Sequence, residues 1–324
     1  MNIDYRLKEN RKKAFTIWYH WSLKYKDCDP PIWMLNYLFK RFEHNLEQKY
    51  WIAWIYGTTY HLPTAWIIWN EFPDFELVDY DRLDKWNNEN YKRLRYQTDT
   101  KYNKGYLPKQ FQSYKAWIEH DNISGTQREK FNKFKNAKSF DYLWNSIIKN
   151  LYKFGRYSTW FYMQTLKQCV SVALEPQNLK LEDYSGSRSH RNGLCLALGK
   201  DEWVNQKLNK DCLAFLNNEA EDIQFLIKSK KQPTDYYNLE TSLCSYKKIF
   251  RKTNGRYLGY YLDRQAEEIK KVEQDGWNGI DWEVFWDGRK ELLQKDLYMS
   301  QDINKGLYPQ FLDTGNFTRT ICPI

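Results

Sequence analysis

The chain has 324 residues, 50 Lys and Arg against 41 Asp and Glu, a net charge of +9 and a sequence pI near 9.0. That length is enough for one large domain or two intimate ones with a substantial buried core. No stretch approaches the roughly 20 apolar residues that span a bilayer, so a membrane-spanning protein is not expected; the run from Ile52 to Tyr60 is too short and too rich in Trp and Tyr.

The six cysteines, Cys28, Cys169, Cys195, Cys212, Cys244 and Cys322, form no C-x-x-C pair, and no histidine stands at metal spacing from them. A structural zinc site is therefore not expected, and a reduced, cytoplasmic protein is. The start, Met1 to Lys13, is charged and lacks the apolar core of a signal peptide.

Hydrophobic periodicity is helical nearly throughout. Arg11 to Lys24 carries Phe15, Trp18, Tyr19 and Trp21 along one side, and Asp29-Pro30-Pro31 reads as a capped start to a helix over 32–42. Helices are expected over 44–60, 63–72 and 79–94. The stretch from Lys92 to Lys138 reads as loop-rich and strongly basic, with twelve Lys/Arg against four Asp/Glu. Ser139 caps a helix over 140–152, and another resumes over 157–172 beyond Gly155. Helices over 209–228, 234–250, 256–273 and 282–297 complete the chain. Alternating strand patterns are scarce, and no repeat, low-complexity segment or linker is visible. The expected fold is all-α, with residues 1–50 as an N-terminal helical extension to one compact helical domain over 51–324.

The basic stretch also carries Tyr96, Tyr102, Tyr106, Phe111, Tyr114, Trp117, Phe131 and Phe134. Cations meet phosphates and exposed rings stack on bases, so the mixture suits nucleic acid, with Lys101 and Lys104 as contacts. Some of these rings must be core.

Five shorter segments have the residue types that carry chemistry. Gly186 to Gly193 (GSRSHRNG) packs Ser187, Arg188, Ser189, His190, Arg191 and Asn192 between two glycines, which suits an anion or a solvated basic loop. Tyr152 to Trp160 is a helix–glycine–helix joint with Gly155, Arg156 and Tyr157 at a helix N-terminus, where N–H groups and the dipole favour anions. It is similar to a loose helix-hairpin-helix, with one of the two usual glycines; an ordinary helix junction is the alternative. On Asn238 to Cys244, Glu240 is either a general base or a surface partner of Lys247 or Lys248, and Cys244 a small core residue. In Gly255 to Arg264, Asp263 is a base or amine anchor and Arg264 a carboxylate clamp, or both belong to helical ion pairs with Glu267 and Glu268. Trp282, Phe285, Trp286 and Arg289 form a stripe at helical spacing that reads as core.

Taken together, FGRYSTW, GSRSHRNGL, NLETSLCSYKK, GRYLGYYLDR and WEVFWDGRKELL, in that order over residues 51–297, resemble the bacteriophage amino acid:DNA transferases, also called alpha-glutamyl/putrescinyl thymine pyrophosphorylases. The resemblance implies a helical fold related to helix-hairpin-helix DNA glycosylases. It implies double-stranded DNA whose 5-hydroxymethyluracil carries a pyrophosphate, which the amine of a free amino acid or polyamine displaces, in the cytoplasm of an infected cell. Base flipping would then be aided by Trp160. Arg156, Ser187, Arg188, Ser189, Arg191 and Asn192 would hold the pyrophosphate, with Asp183 orienting an arginine. Glu240, Asp263 or His190 would take the amine proton, Arg264 and Tyr260 would hold the donor, and Gly155, Tyr157, Trp160, Lys101 and Lys104 would contact DNA. No cofactor is implied with certainty and no metal ligands are; Mg2+ would come through the pyrophosphate.

Three rival functions fit less well. A glycosylase or lyase needs a carboxylate just past the hairpin, yet Ser158 to Val172 contains none. A kinase making the activated base needs a phosphate-binding G-x-x-x-x-G-K-[ST] loop, which does not occur. A non-catalytic DNA-binding module leaves Glu240 and the polar run without a role.

Overall fold

A computed structural model describes residues 3–120, 123–134, 139–182, 188–250, 258–293 and the backbone of 316–317. The all-α expectation holds: strand among these residues is limited to β1 (Ile3–Asp4) antiparallel to β2 (Asn316–Phe317), with Ile3 opposite Phe317. The helices in chain order are α1 (Arg11–Lys24), α2 (Pro30–Arg41), α3 (Leu46–Thr59), α4 (Leu62–Glu71), α5 (Tyr80–Asn90), α6 (Leu107–Glu119), α7 (Gln127–Asn132), α8 (Ser139–Asn150), α9 (Arg156–Val170), α10 (Ser189–Ala197), α11 (Lys210–Lys228), α12 (Tyr236–Tyr246), α13 (Tyr260–Gln274) and α14 (Glu283–Leu292).

Several helix starts are written in side chains. Asn45 and Gln48 close a capping box on α3, while Asp79, Asn209 and Asp235 accept from the third residue of α5, α11 and α12. Each such cap is worth about 1 kcal/mol. The loop-rich reading of 92–138 is corrected by α6, α7 and a 3-10 segment, Thr98–Tyr106. Leu107, Phe111, Tyr114 and Ile118 recur at helical spacing and are buried, and Pro108 sits in the first turn. The lysines between them masked that periodicity.

The chain divides into two compact units along a different line from the one expected at residue 50. One comprises 1–30, 177–267 and 286–324; the other comprises 31–176 and 268–285. The cause is visible on α1. Its Phe15 and Trp18 rings lie 5.1 and 5.7 Å from Tyr246 of α12, and Trp18 Nε1 donates to Ser245 Oγ at 2.9 Å. Tyr19 pairs with Thr234. The first unit is thus built by α1 packing with α10, α11 and α12 around Leu194, Leu216, Ile223 and Leu243.

The second unit centres on α3, buried along its length from Tyr50 to Thr59. Trp51 stacks on Trp54 at 5.0 Å, and Trp54 on Tyr114 at 4.8 Å. Gly57 lets α3 meet α9: a Cβ there would stand 2.7 Å from that of Tyr162. Tyr162 and Tyr114 share a hydroxyl hydrogen bond of 3.1 Å, and Tyr114 donates to Gln127 at 2.7 Å. No described helix is long and apolar enough to cross a membrane.

Candidate active site

The polar run read as a loop is largely helix. Ser189 opens α10, and His190, Arg191, Asn192 and Gly193 are buried in its first turns. Gly193 is required by packing rather than by phosphate approach: an added Cβ would lie 2.7 Å from the carbonyl carbon of Leu243 on α12, and closer still to its oxygen. The glycine brings α10 and α12 backbone to backbone. Ser187, Gly186 and Asp183 lie outside the described residues.

Two of the expected anion binders are engaged in architecture. Arg191 donates to the carbonyls of Leu181 and Gln206 at 3.3 and 3.1 Å. Asn192 exchanges hydrogen bonds with Asn205 at 2.7 and 3.0 Å. Exposed Arg188, at the N-cap, reaches the Asn205 carbonyl at 3.3 Å. α10 has no side-chain cap, and at its first residue Ser189 Oγ accepts from Lys247 Nζ at 2.6 Å. In sequence Lys247 reads only as a partner for Glu240. Its place beside Ser189 depends on the α10–α12 approach, which no local pattern announces.

That approach also joins two expected catalytic residues. His190 Nδ1 lies 3.6 Å from Glu240 Oε1, both residues 1% exposed. Glu240 is thus no surface residue. At that separation the contact is electrostatic rather than a hydrogen bond, with the carboxylate beside the ring.

A second cluster gathers where α1 ends and α13 begins. Asp27 accepts three backbone N–H bonds, from Gly259 at 3.1 Å and from Tyr261 and Leu262 at 3.0 Å each. Burial raises its pKa to about 7, aided by the like charge of Asp263 and opposed by the three donors. Asp29, read as a helix cap, accepts from Thr241 of α12 at 2.6 Å, next to Glu240. Asp263 is 1% exposed, so it is not part of a solvated ion-pair ladder. Arg289, fully buried, donates to the Leu262 carbonyl at 3.1 Å and Gln265 Oε1 at 2.7 Å. Burial lowers its pKa to about 10, while Asp263 pulls the other way. Tyr260 and Arg264 are half-buried, and Lys248 Nζ stands 3.9 Å over the Tyr260 ring. Gly255 to Tyr257 lie outside the described residues. Asp27 was missed because nothing in its neighbourhood marks it; its donors come from more than 230 residues downstream.

The linkage for Asp27 has a definite sign. A carboxyl raised from 3.8 to about 7 contributes stability that is complete below its unfolded pKa and is lost as pH rises through 7. The Asp27→Asn variant, which cannot titrate, is therefore expected to melt below wild type by a margin that shrinks from pH 4 to pH 8. Melting curves across that range check this, and a margin that widens with pH contradicts it.

The second unit presents the hairpin residues. Gly155 is exposed at the start of α9, with open space where a Cβ would stand and no side-chain cap. Arg156 and Trp160, expected at the pyrophosphate and the flipped base, are 0% exposed. The guanidinium lies 5.0 Å over the Trp160 ring, which meets Phe140 and Trp144 edge-on. Tyr157 is half-buried against Tyr60 and Phe161. Of the eight rings in the basic stretch, six are core; Tyr102 and Tyr106 are exposed. Lys101 is exposed, whereas Lys104 is half-buried and its pKa is lowered by burial and by Arg95. Among the described residues no three His, Cys, Asp or Glu side chains gather to hold a metal ion.

The chain is similar to a protein named serinyltransferase from Salmonella phage ViI, at 27% identity over 97% of this chain and 83% of the relative. No solved structure matches. The family model for amino acid:DNA transferase matches residues 24–254, a span that holds Asp27, His190, Glu240 and Lys247. The chain belongs to the amino acid:DNA transferase family.

Proposed function

We propose that this transferase displaces pyrophosphate from 5-(pyrophosphoryloxymethyl)uracil in double-stranded DNA with the α-amine of serine. One observation carries the reading: the uncapped N-terminus of α10, with Lys247 on Ser189, stands directly before the buried His190–Glu240 pair. A helix N-terminus and a lysine side by side both favour an anion.

In this reading the amine nitrogen attacks the methylene carbon attached to C5 of the pyrimidine. The carbon–oxygen bond to pyrophosphate breaks, and its electron pair leaves with the pyrophosphate. Lys247, Ser189 and Arg188 stabilise the charge that develops on the leaving oxygens. His190 takes the proton that the nitrogen must lose, and Glu240 stabilises the imidazolium that results. The half-buried Arg264, Lys248 and Tyr260 are the groups for the donor's carboxylate, and Asp263 for its ammonium. Serine is chosen over a polyamine because of the name of the relative. The reading invokes no metal held by protein side chains.

The test is to incubate the protein with DNA containing the pyrophosphorylated base and a panel of serine, glycine, glutamate and putrescine, followed by mass spectrometry of the released nucleosides. A seryl nucleoside with release of one pyrophosphate per transfer is expected. No new nucleoside, with DNA binding retained, overturns the reading. Lys247→Ala is expected to lower kcat by about 10²-fold, the usual loss when one donor to a developing oxyanion is removed. Its KM for serine should stay within about threefold of wild type; a loss confined to KM would move Lys247 to donor binding.

A further inference from the structure

Lys101, Tyr102 and Tyr106 belong to the 3-10 segment Thr98–Tyr106, while Tyr152 and Lys153 form the turn after α8. The fold sets these two pieces together on the surface of the second unit. The Tyr106 and Tyr152 rings meet edge to face with centroids 5.9 Å apart. Lys153 Nζ stands 5.1 Å from the first ring and 5.7 Å from the second, and Lys101 Nζ stands 4.8 Å from the ring of Tyr102. The turn is anchored from beneath, since the Tyr152 N–H donates to Ser113 Oγ of α6 at 2.9 Å.

What distinguishes the patch is that its rings are not core. Tyr102 is 73% exposed, and Tyr106 and Tyr152 are 38% exposed each, whereas Tyr96, Phe111, Tyr114, Trp117, Phe131 and Phe134 nearby in sequence are buried. Folding therefore sorts the aromatic residues of the basic stretch into a packed set and a displayed set. The displayed set comes with ammonium groups. Asp99 is the single acid between Lys92 and Ile118, and none occurs between Tyr142 and Gly155. Exposed Gly155 follows at once, where backbone can approach a bulky ligand without a side chain between.

We propose that this patch is a DNA-docking surface, with Lys101 and Lys153 on phosphates and Tyr102, Tyr106 and Tyr152 against sugars and exposed base faces. A polyanion that also offers flat rings fits a platform of lysines and tyrosines better than any purely charged partner does. The proposal rests on DNA being the substrate of the family and not on pyrophosphate chemistry, and its test reads binding alone.

The full chain is titrated against a short unmodified duplex labelled for fluorescence anisotropy, across a series of salt concentrations. The double variant Lys101→Glu/Lys153→Glu should bind at least about tenfold more weakly and lower the salt slope by about two, one for each phosphate that is no longer neutralised. The variant Tyr106→Ala/Tyr152→Ala should bind at least about fivefold more weakly with its salt slope unchanged, as expected when stacking is removed and charge is kept. Lys228→Glu, at an exposed lysine of α11 in the first unit, is the control for net charge and should bind within about twofold of wild type. Circular dichroism confirms that each variant is folded. Wild-type affinity and slope in the lysine variant overturn the proposal. So does a loss in Lys228→Glu matching that of the lysine variant per charge changed, because binding would then follow overall charge. Wild-type affinity in the tyrosine variant overturns the role given to the rings.

Discussion

Glu240→Gln is expected to lower the turnover of amino-acid transfer by about 10²–10⁴-fold, the range that a positioned acid–base group supplies. The amide keeps the volume of the side chain but removes the charge that stabilises a protonated His190 across their 3.6 Å separation. The loss should therefore appear in kcat, with affinity for unmodified duplex unchanged. It should persist at every pH at which wild type is active, because glutamine carries no charge at any pH. Steady-state kinetics with the variant and wild type check both points. Activity within about threefold of wild type, well short of the loss a general base produces, would transfer the role of base to Asp263.

Gly193→Ala is expected to destabilise the first unit strongly. The new Cβ would press on backbone of α12, which cannot rotate away as a side chain can. The two helices must separate, at a cost of about 3 kcal/mol, the upper part of the range for overpacked cores. Because His190 and Glu240 face each other across that junction, activity should fall even at temperatures where the variant is fully folded. Gly155→Ala is the contrasting case. Its φ of −93° and the open space around it admit a methyl group, so a loss of no more than about 1 kcal/mol, from alanine being the poorer N-cap, is expected. Thermal melts of both variants decide the comparison, and equal losses would mean that helix approach is not what Gly193 provides.

These two positions show what could be read before folding. Helical periodicity and caps are local, so α1, α3, α8, α9 and α11 were legible close to their final bounds. Glu240 was legible as a candidate base on an amphipathic helix, and His190 as the imidazole of a polar, basic run. Their pairing was not, since it depends on the approach of two helices about fifty residues apart. Asp27 and Lys247 acquire meaning only through partners far along the chain, Leu262 and Ser189. Arg156 and Trp160 failed in the opposite direction. A residue at a helix N-terminus points to an anion only when it reaches solvent, and packing of α8 on α9 buries both. The division of the chain into units has the same origin, because the preference of α1 for α12 is tertiary.

The composition of the first unit from separate pieces of chain has a consequence for how the protein is made. Helices α2 to α9 are contiguous, so most of the second unit can assemble while the ribosome is still translating the rest. α1 emerges ahead of the second unit yet must wait for α10, α11 and α12 before Phe15, Trp18 and Tyr19 are covered. Contacts so distant in sequence form slowly. Truncation before Ser189 would leave that aromatic face without its partners, and such a fragment should be captured by chaperones or aggregate. Transfer activity would begin only once α12 has left the exit tunnel and joined a helix made long before it.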